Sequence, residues 1–173
     1  GGIIQVGGMA KGPGMIEPHM ATMLGFLTTD ADIAPTLLQR ALVDAAADTF
    51  NAITVDGETS TNDMVLLLAS GESGVHVGED DYCGFVGAVR AVCRELALAI
   101  VKGGEGATKL VRVTITGARS KADARQGARA IANSPLVKTA IHGGDPNWGR
   151  LIAVAGRAGV DFNLADASVR IGD

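Results

Sequence analysis

Apolar residues along this chain recur with two different periods, and the change between them marks most of the expected elements. Ile3, Ile4 and Val6, lying between Gly2 and Gly8, read as a short strand that leads into a glycine-rich loop. Met23, Leu24, Phe26 and Leu27 then form a second strand spanning Thr22 to Thr29. Behind Pro35, which suits the first turn of a helix because its missing N–H costs nothing there, Leu38, Leu42 and Ala45 or Ala46 make a helical stripe down to Phe50. Ile53 to Val55 reads as a brief strand, Asp56 to Asp63 as a polar turn, and Met64 to Ala69 as a buried strand. After a loop from Gly71 to Asp81, the residues Phe85, Val89, Val92 or Cys93, Leu96 and Ile100 define a long helix. Asp80 or Asp81 caps it and Gly103-Gly104 ends it. Val111, Val113 and Ile115 alternate with Arg112, Thr114 and Thr116, the period of a strand with one wet face. Ser120 to Asp123 opens another helix, with Ala124, Ala128 and Ile131 facing inward. Leu136 to Ile141 is strand-like, Asp145-Pro146 starts a helix carrying Trp148, Leu151, Ile152 and Ala155, and Ser168 to Ile171 is a last strand.

Helices and strands are mixed without strict alternation, so the expected class is α/β (α+β), a layered sandwich of a mixed sheet and helices. With 173 residues, no internal repeat and no Pro- or Ser-rich linker, residues 1–173 read as a single domain. The chain opens on Gly1-Gly2 and stops just after an apparent strand, which reads as a fragment of a longer gene product.

Composition narrows the function. Net charge is −4 with acids and bases interspersed, and only 3% of residues are aromatic, so neither a basic block nor stacking platforms point to nucleic acid. No apolar run approaches the ~20 residues of a membrane span, no charged region followed by an apolar one makes a secretory signal visible, and the expected location is cytoplasmic. Cys83 and Cys93 lie ten residues apart in one expected helix, roughly 15 Å along its axis, too far for a disulfide. Glycine, at 24 residues, is about twice the usual ~7% and is spread among tight connections.

Candidate chemistry concentrates between Lys11 and Asp30. Gly12, Pro13, Gly14 and Pro18 keep the backbone irregular ahead of a rigid apolar run, and Ala21-Thr22 sits at the junction. A Thr hydroxyl there can be aimed at its own preceding carbonyl, although an arbitrary Ala-Thr pair more often just opens a strand. If the Ala21-Thr22 bond breaks, Thr22 gains an α-amine with a reference pKa of about 7.7–8.0, able to serve as base for its own hydroxyl. Lys11 can be a solvated lysine or a carboxylate ligand, and Glu105 a helix-terminal acid or a group turned toward a pocket. Asp56, Glu58, Asn62 and Asp63 are hard oxygen donors, but their spacing is not that of an EF-hand, and turn or capping roles fit better. His19, His76 and His142 are scattered without zinc-ligand spacing, so no metal is expected. The glycine pairs match neither G-x-G-x-x-G nor a P-loop.

The wording of four ordered stretches adds a family. Lys11-Gly-x-Gly-Met-Ile-x-Pro-x-Met-Ala-Thr-Met-Leu24 resembles the self-cleavage segment of the ornithine acetyltransferase (glutamate N-acetyltransferase) family of arginine biosynthesis. Phe50 to Asp63, Glu105 to Lys109, and Ser134 to Ala140 running on to Asp145-Pro146-Asn147-Trp148-Gly149-Arg150 resemble the same family, in its order. The resemblance implies self-cleavage at Ala21-Thr22, leaving 1–21 as the end of one chain and 22–173 as the start of the nucleophile-bearing one. It implies an enzyme that moves acetyl from N-acetylornithine to Thr22 and on to glutamate, releasing ornithine and N-acetylglutamate. Lys11, Thr22 and Glu105 would contact substrate. No cofactor is implied, with acetyl-CoA as a possible alternative donor. The implied assembly is a hetero-tetramer of two cleaved chain pairs, with oxyanion-hole residues before Gly1 and further substrate contacts after Asp173. Two rival readings stand beside it: an autoprocessed amidohydrolase or aminopeptidase in which water accepts the acyl group, and a catalytically silent binding domain.

Overall fold

In a computed structural model of the chain, the described residues are 2–12, 23–58 and 62–172. They divide into two compact units, Gly1–Ala107 and Thr108–Asp173, within what the sequence suggests is one domain.

The first unit is built on a three-stranded sheet in the order β1-β2-β4, with β1 Val6–Lys11, β2 Leu24–Thr29 and β4 Met64–Ala69. β1 runs antiparallel to β2, and β4 runs parallel to it. A second, two-stranded parallel sheet pairs β3 Asp32–Ile33 with β5 His76–Val77. Register assigns the faces. Gly8, Leu27 and Leu67 lie on one row and point inward, while Met9, Phe26 and Leu66 lie on the next and point outward. Helices α1 (Pro35–Ala47) and α2 (Tyr82–Lys102) pack on each other and cover the inner face. Gly8 shows how closely: a Cβ there would stand 2.9 Å from the Phe26 carbonyl oxygen and 3.3 Å from Leu96 of α2. The core joins Leu27 and Leu67 of the sheet to Leu37, Ala41 and Ala45 of α1, to Phe50, and to Phe85, Val89, Cys93 and Ile100 of α2. The outer face carries Met9 (70% exposed), Phe26, Met64, Leu66 and Leu68, apolar residues that remain open to solvent in this unit.

Three expectations for this unit change in detail. The first strand starts four residues and ends three residues later than read, with Val6, Gly8 and Ala10 on the core row; Ile4 packs against the core ahead of it, while Ile3 is exposed. The buried line of α1 is Leu37, Ala41 and Ala45, with Leu38 and Leu42 flanking it, a shift of one position around the helix. Ile53–Val55 pairs with no described strand; Phe50–Ala52 is a short 3-10 turn that seats Phe50 under the sheet, and the chain then bends away.

The second unit holds three helices, α3 Lys121–Asn133, α4 Pro135–Gly143 and α5 Trp148–Gly156, around a small core of Ile131, Val137 and Val154. Ser120 caps α3 by accepting the Asp123 N–H at 3.0 Å, as its position suggests. The strand expected over Leu136–Ile141 is instead α4. Its β-branched residues look like a strand, but Val137, Ala140 and Ile141 fall on one helical face, and Pro135 occupies the first turn after Ser134. Gly144, at φ +70°, ends α4 with the Asp145 N–H bonded back to the Ala140 carbonyl, a left-handed closure that glycine favours. Residues 108–116 and 168–171 form no ladder among the described residues, contrary to the two strands expected there; Val113 and Ile115 lie against the small core as extended coil.

Candidate functional site

The start of β2 is where candidate chemistry converges. Ala21 and Thr22 themselves lie outside the described residues, and their neighbour Met23 is held at both polar groups. The Met23 N–H donates to Asp63 Oδ1 at 2.6 Å, the Met23 carbonyl accepts the Met64 N–H at 3.0 Å, and the Met23 side chain is buried. Partial burial pushes the Asp63 carboxyl above its ordinary value, with the Met23 N–H pulling the other way. Asp63 reaches this place because it immediately precedes β4, whose parallel register sets Met64 opposite Leu24. The sequence suggested only turn or capping work for it. The signal that could have found it is an Asp directly ahead of an apolar run, placed to accept from a neighbouring strand.

Lys11 is the last residue of β1 and is paired in register with Leu24, so the fold brings it beside the same strand start. Its side chain is exposed, on the outward row it shares with Leu24 and Met64. Glu105 occupies the tip of the turn that follows α2. The Ala107 N–H bonds to the Gly104 carbonyl at 3.0 Å, and Gly106 takes φ +71°, as a turn of this kind requires of its third residue. Gly104 is there for space, since a Cβ would lie 3.1 Å from Val55. That contact places the Glu105 turn against the segment that leads on to Asp63. Gly103 ends α2, as the sequence suggests, with φ −80°.

An open groove of about 480 Å³ lies at the other end of the sheet, lined by Gln5, Gly7, Thr28, Asp30, Leu68 and Ser70. It is about 20 Å along β2 from Met23 at ~3.3 Å per residue. Asp30 is occupied there with structure, accepting the Gln5 N–H at 2.7 Å.

The remaining motif stretches have structural work in the second unit. Lys109 Nζ donates to the carbonyls of Ile141 and His142 at the end of α4. Arg150 Nη1 donates to the Leu136 carbonyl at 2.9 Å and to Thr139 Oγ1 at 3.2 Å, and its Nη2 lies 3.8 Å from Asp145. Arg150 thereby ties the Ser134–Ala140 stretch to the Asp145–Arg150 stretch. His142 belongs to α4, and Trp148, carried by α5 as the pattern suggests, is 63% exposed. In the polar turn, Asp56 Oδ1 accepts the Glu58 N–H at 3.0 Å and Gly57 takes φ +78°, so that loop is shaped by turn chemistry. Among the described residues no cluster of His, Cys, Asp or Glu is arranged to hold a metal ion, and no helix is long and apolar enough to cross a membrane.

A mixed sheet backed by two helices makes the first unit an α+β fold, and the fold alone names no family. The family match supplies one: the ArgJ family model covers residues 1–173, and the chain belongs to that family. It is 55% identical to the arginine biosynthesis bifunctional protein ArgJ of Chlorobaculum tepidum over all of this chain and 43% of that protein. It is 54% identical to the glutamate N-acetyltransferase of Methanocaldococcus jannaschii, over 94% of this chain and 41% of that one. The crystal structure of the ArgJ protein of Bacillus halodurans superposes with a TM-score of 0.79 at 48% identity, covering 82% of this chain and 68% of the other. The chain spans about two-fifths of the length of the curated relatives it matches.

Proposed function

We propose that this chain is the part of a glutamate N-acetyltransferase that contains its self-cleavage site and its Thr nucleophile. The observation that carries the reading is the match of the whole chain to the ArgJ family, joined to 54% identity with a relative named glutamate N-acetyltransferase. The anchored Met23, directly after Thr22, and Lys11 at the same strand start agree with it.

The Thr22 hydroxyl attacks the Ala21 carbonyl carbon; the new C–O bond forms, the C–N bond breaks, and the nitrogen takes the proton. Water opens the resulting ester, freeing the Ala21 carboxylate and the Thr22 hydroxyl. With its α-amine as base, Thr22 then attacks the acetyl carbonyl of N-acetylornithine, and ornithine leaves as the protonated amine. The amine of glutamate takes the acetyl group from the Thr22 ester, giving N-acetylglutamate. Lys11 pairs with a substrate carboxylate, and Glu105 binds the cationic side chain or assists a proton transfer. Acetyl-CoA is a possible second donor to Thr22. Oxyanion donors supplied by the rest of the polypeptide contribute on the order of 10²–10³-fold in rate, so full turnover requires the complete gene product.

The test is intact mass and N-terminal sequencing of the full-length gene product and of its Thr22→Ala variant, with turnover of N-acetylornithine measured with and without glutamate. The expected result is cleavage at 21–22 and glutamate-dependent ornithine release, both abolished in Thr22→Ala. Cleavage of the variant at the same bond, or release that ignores glutamate, would overturn the reading.

A further inference from the structure

We propose that Asp63 is a positioning residue for Thr22, holding the peptide unit that joins Thr22 to Met23 during self-cleavage and acyl transfer. The inference rests on the reading above and adds to it a residue that acts on the nucleophile without touching substrate.

The strand ladder alone leaves Met23 half-secured. Its carbonyl is taken up by the Met64 N–H, and its N–H, on the same β4 side, would be an unsatisfied donor beside a buried side chain without the Asp63 side chain. The Asp63 carboxylate accepts it at 2.6 Å, a short, charge-assisted bond to a backbone amide. A peptide unit is planar, so gripping its N–H fixes the plane that also contains the carbonyl of the preceding residue. The grip is rigid at its other end as well. Asp63 sits immediately before β4, the next residue is in the ladder, and Leu67 of that strand is in the core. Asp63 therefore refers the segment bearing the nucleophile to a strand that is paired in the ladder and anchored in the core. Reaction rates are sensitive to that reference: a misplacement of about 1 Å can cost roughly 100-fold. No comparable hold is needed merely to build the strand, because the β1–β2–β4 register is complete from Leu24 onward.

The experiment compares self-cleavage in the full-length gene product carrying Asp63→Asn, Asp63→Glu, Asp63→Ala or Leu67→Ala, by intact mass over time, beside thermal melts. Asn keeps an acceptor at the same reach, whereas Glu keeps the charge but moves it one methylene outward. Cleavage in Asp63→Asn should stay within about tenfold of wild type, and Asp63→Ala and Asp63→Glu should be slower by roughly 100-fold. Leu67→Ala weakens the same strand without touching Met23, and should lower the melting temperature while leaving cleavage near wild type. In cleaved Asp63→Asn, kcat should fall with KM for N-acetylornithine unchanged. The role is overturned if Asp63→Glu cleaves like wild type while Asp63→Asn does not, since charge and not position would then matter. It is also overturned if Leu67→Ala slows cleavage as much as Asp63→Ala at equal loss of stability. An intact 21–22 bond in the wild type sinks the Thr22 reading and this one together; normal wild-type cleavage with normal Asp63→Ala cleavage sinks this one alone.

Discussion

The two units of this chain solve the same problem with different means. Gly1–Ala107 buries a continuous core of large residues between a sheet and two helices, and the peripheral ion pairs add little. Arg40 grips Glu79 and stacks 3.9 Å over the Tyr82 ring, while Tyr82 donates to Asp44, all at the surface. Thr108–Asp173 has three residues at the centre of its core and relies on side chains that reach backbone carbonyls at its helix ends. Lys109, Arg150 and Gln126, which donates to the Ala158 carbonyl at 2.7 Å, each do this. The lesson is that a small unit has too little apolar surface to be held by burial alone, and directional bonds take a larger share.

The contrast can be broken most directly at the cores. Leu27→Ala, at a fully buried position of the sheet, should cost about 3 kcal/mol, and Val154→Ala about 2 kcal/mol. The second loss should matter more locally. In amide exchange of the 173-residue chain, Val154→Ala should strip protection from α3, α4 and α5 while β2 and α2 remain protected. Equal loss of protection in both units from either substitution would show that they share one cooperative core.

A smaller effect belongs to the first unit alone, because both cysteines lie in α2. Burial pushes the Cys93 thiol up to about 11, against a weaker opposing hydrogen bond from Thr49. An unfolded thiol ionises near 9, so between about pH 9 and 11 the unfolded chain has lost a proton that the folded chain retains. Stability is therefore full below pH 9 and declines as pH rises toward 11. The melting temperature of Cys93→Ala should fall less steeply than wild type across that window, with no such difference at pH 7–8. Parallel slopes for the two proteins would remove Cys93 as the cause.

The smallest effect sharpens the contrast in polar bonding. Arg150→Ala should cost about 1 kcal/mol, because it removes hydrogen bonds to the Leu136 carbonyl and Thr139. Glu79→Gln should leave the melting temperature within error, since its partner is a solvated surface arginine. A larger loss from Glu79→Gln than from Arg150→Ala, in paired denaturant titrations, would invert the assignment of polar bonds to the second unit.

By itself the sequence determined the elements with long, uninterrupted periods, and the family. β2, β4, α1, α2 and α3 all lie where their apolar spacing places them, and the motif wording alone identified the ArgJ relationship that the full-length match bears out. Local chemistry was equally legible where one residue suffices: Ser120 as a cap, Pro35 in a first turn, and Asp56 in a turn with Gly57. Tertiary structure decided the rest. Leu136–Ile141 carries both a strand's composition and a helix's start signal, and packing Val137 and Ile141 against Ile131 and Val154 chose the helix. Val111–Ile115 alternates like a strand but has no strand beside it among the described residues, and a period of two makes a ladder only when a partner supplies the hydrogen bonds. The bond from Met23 to Asp63 spans forty residues of sequence and exists because β2 and β4 lie parallel and in register. No local pattern encodes that proximity, since strand pairing is a choice among distant segments made by the core they jointly bury.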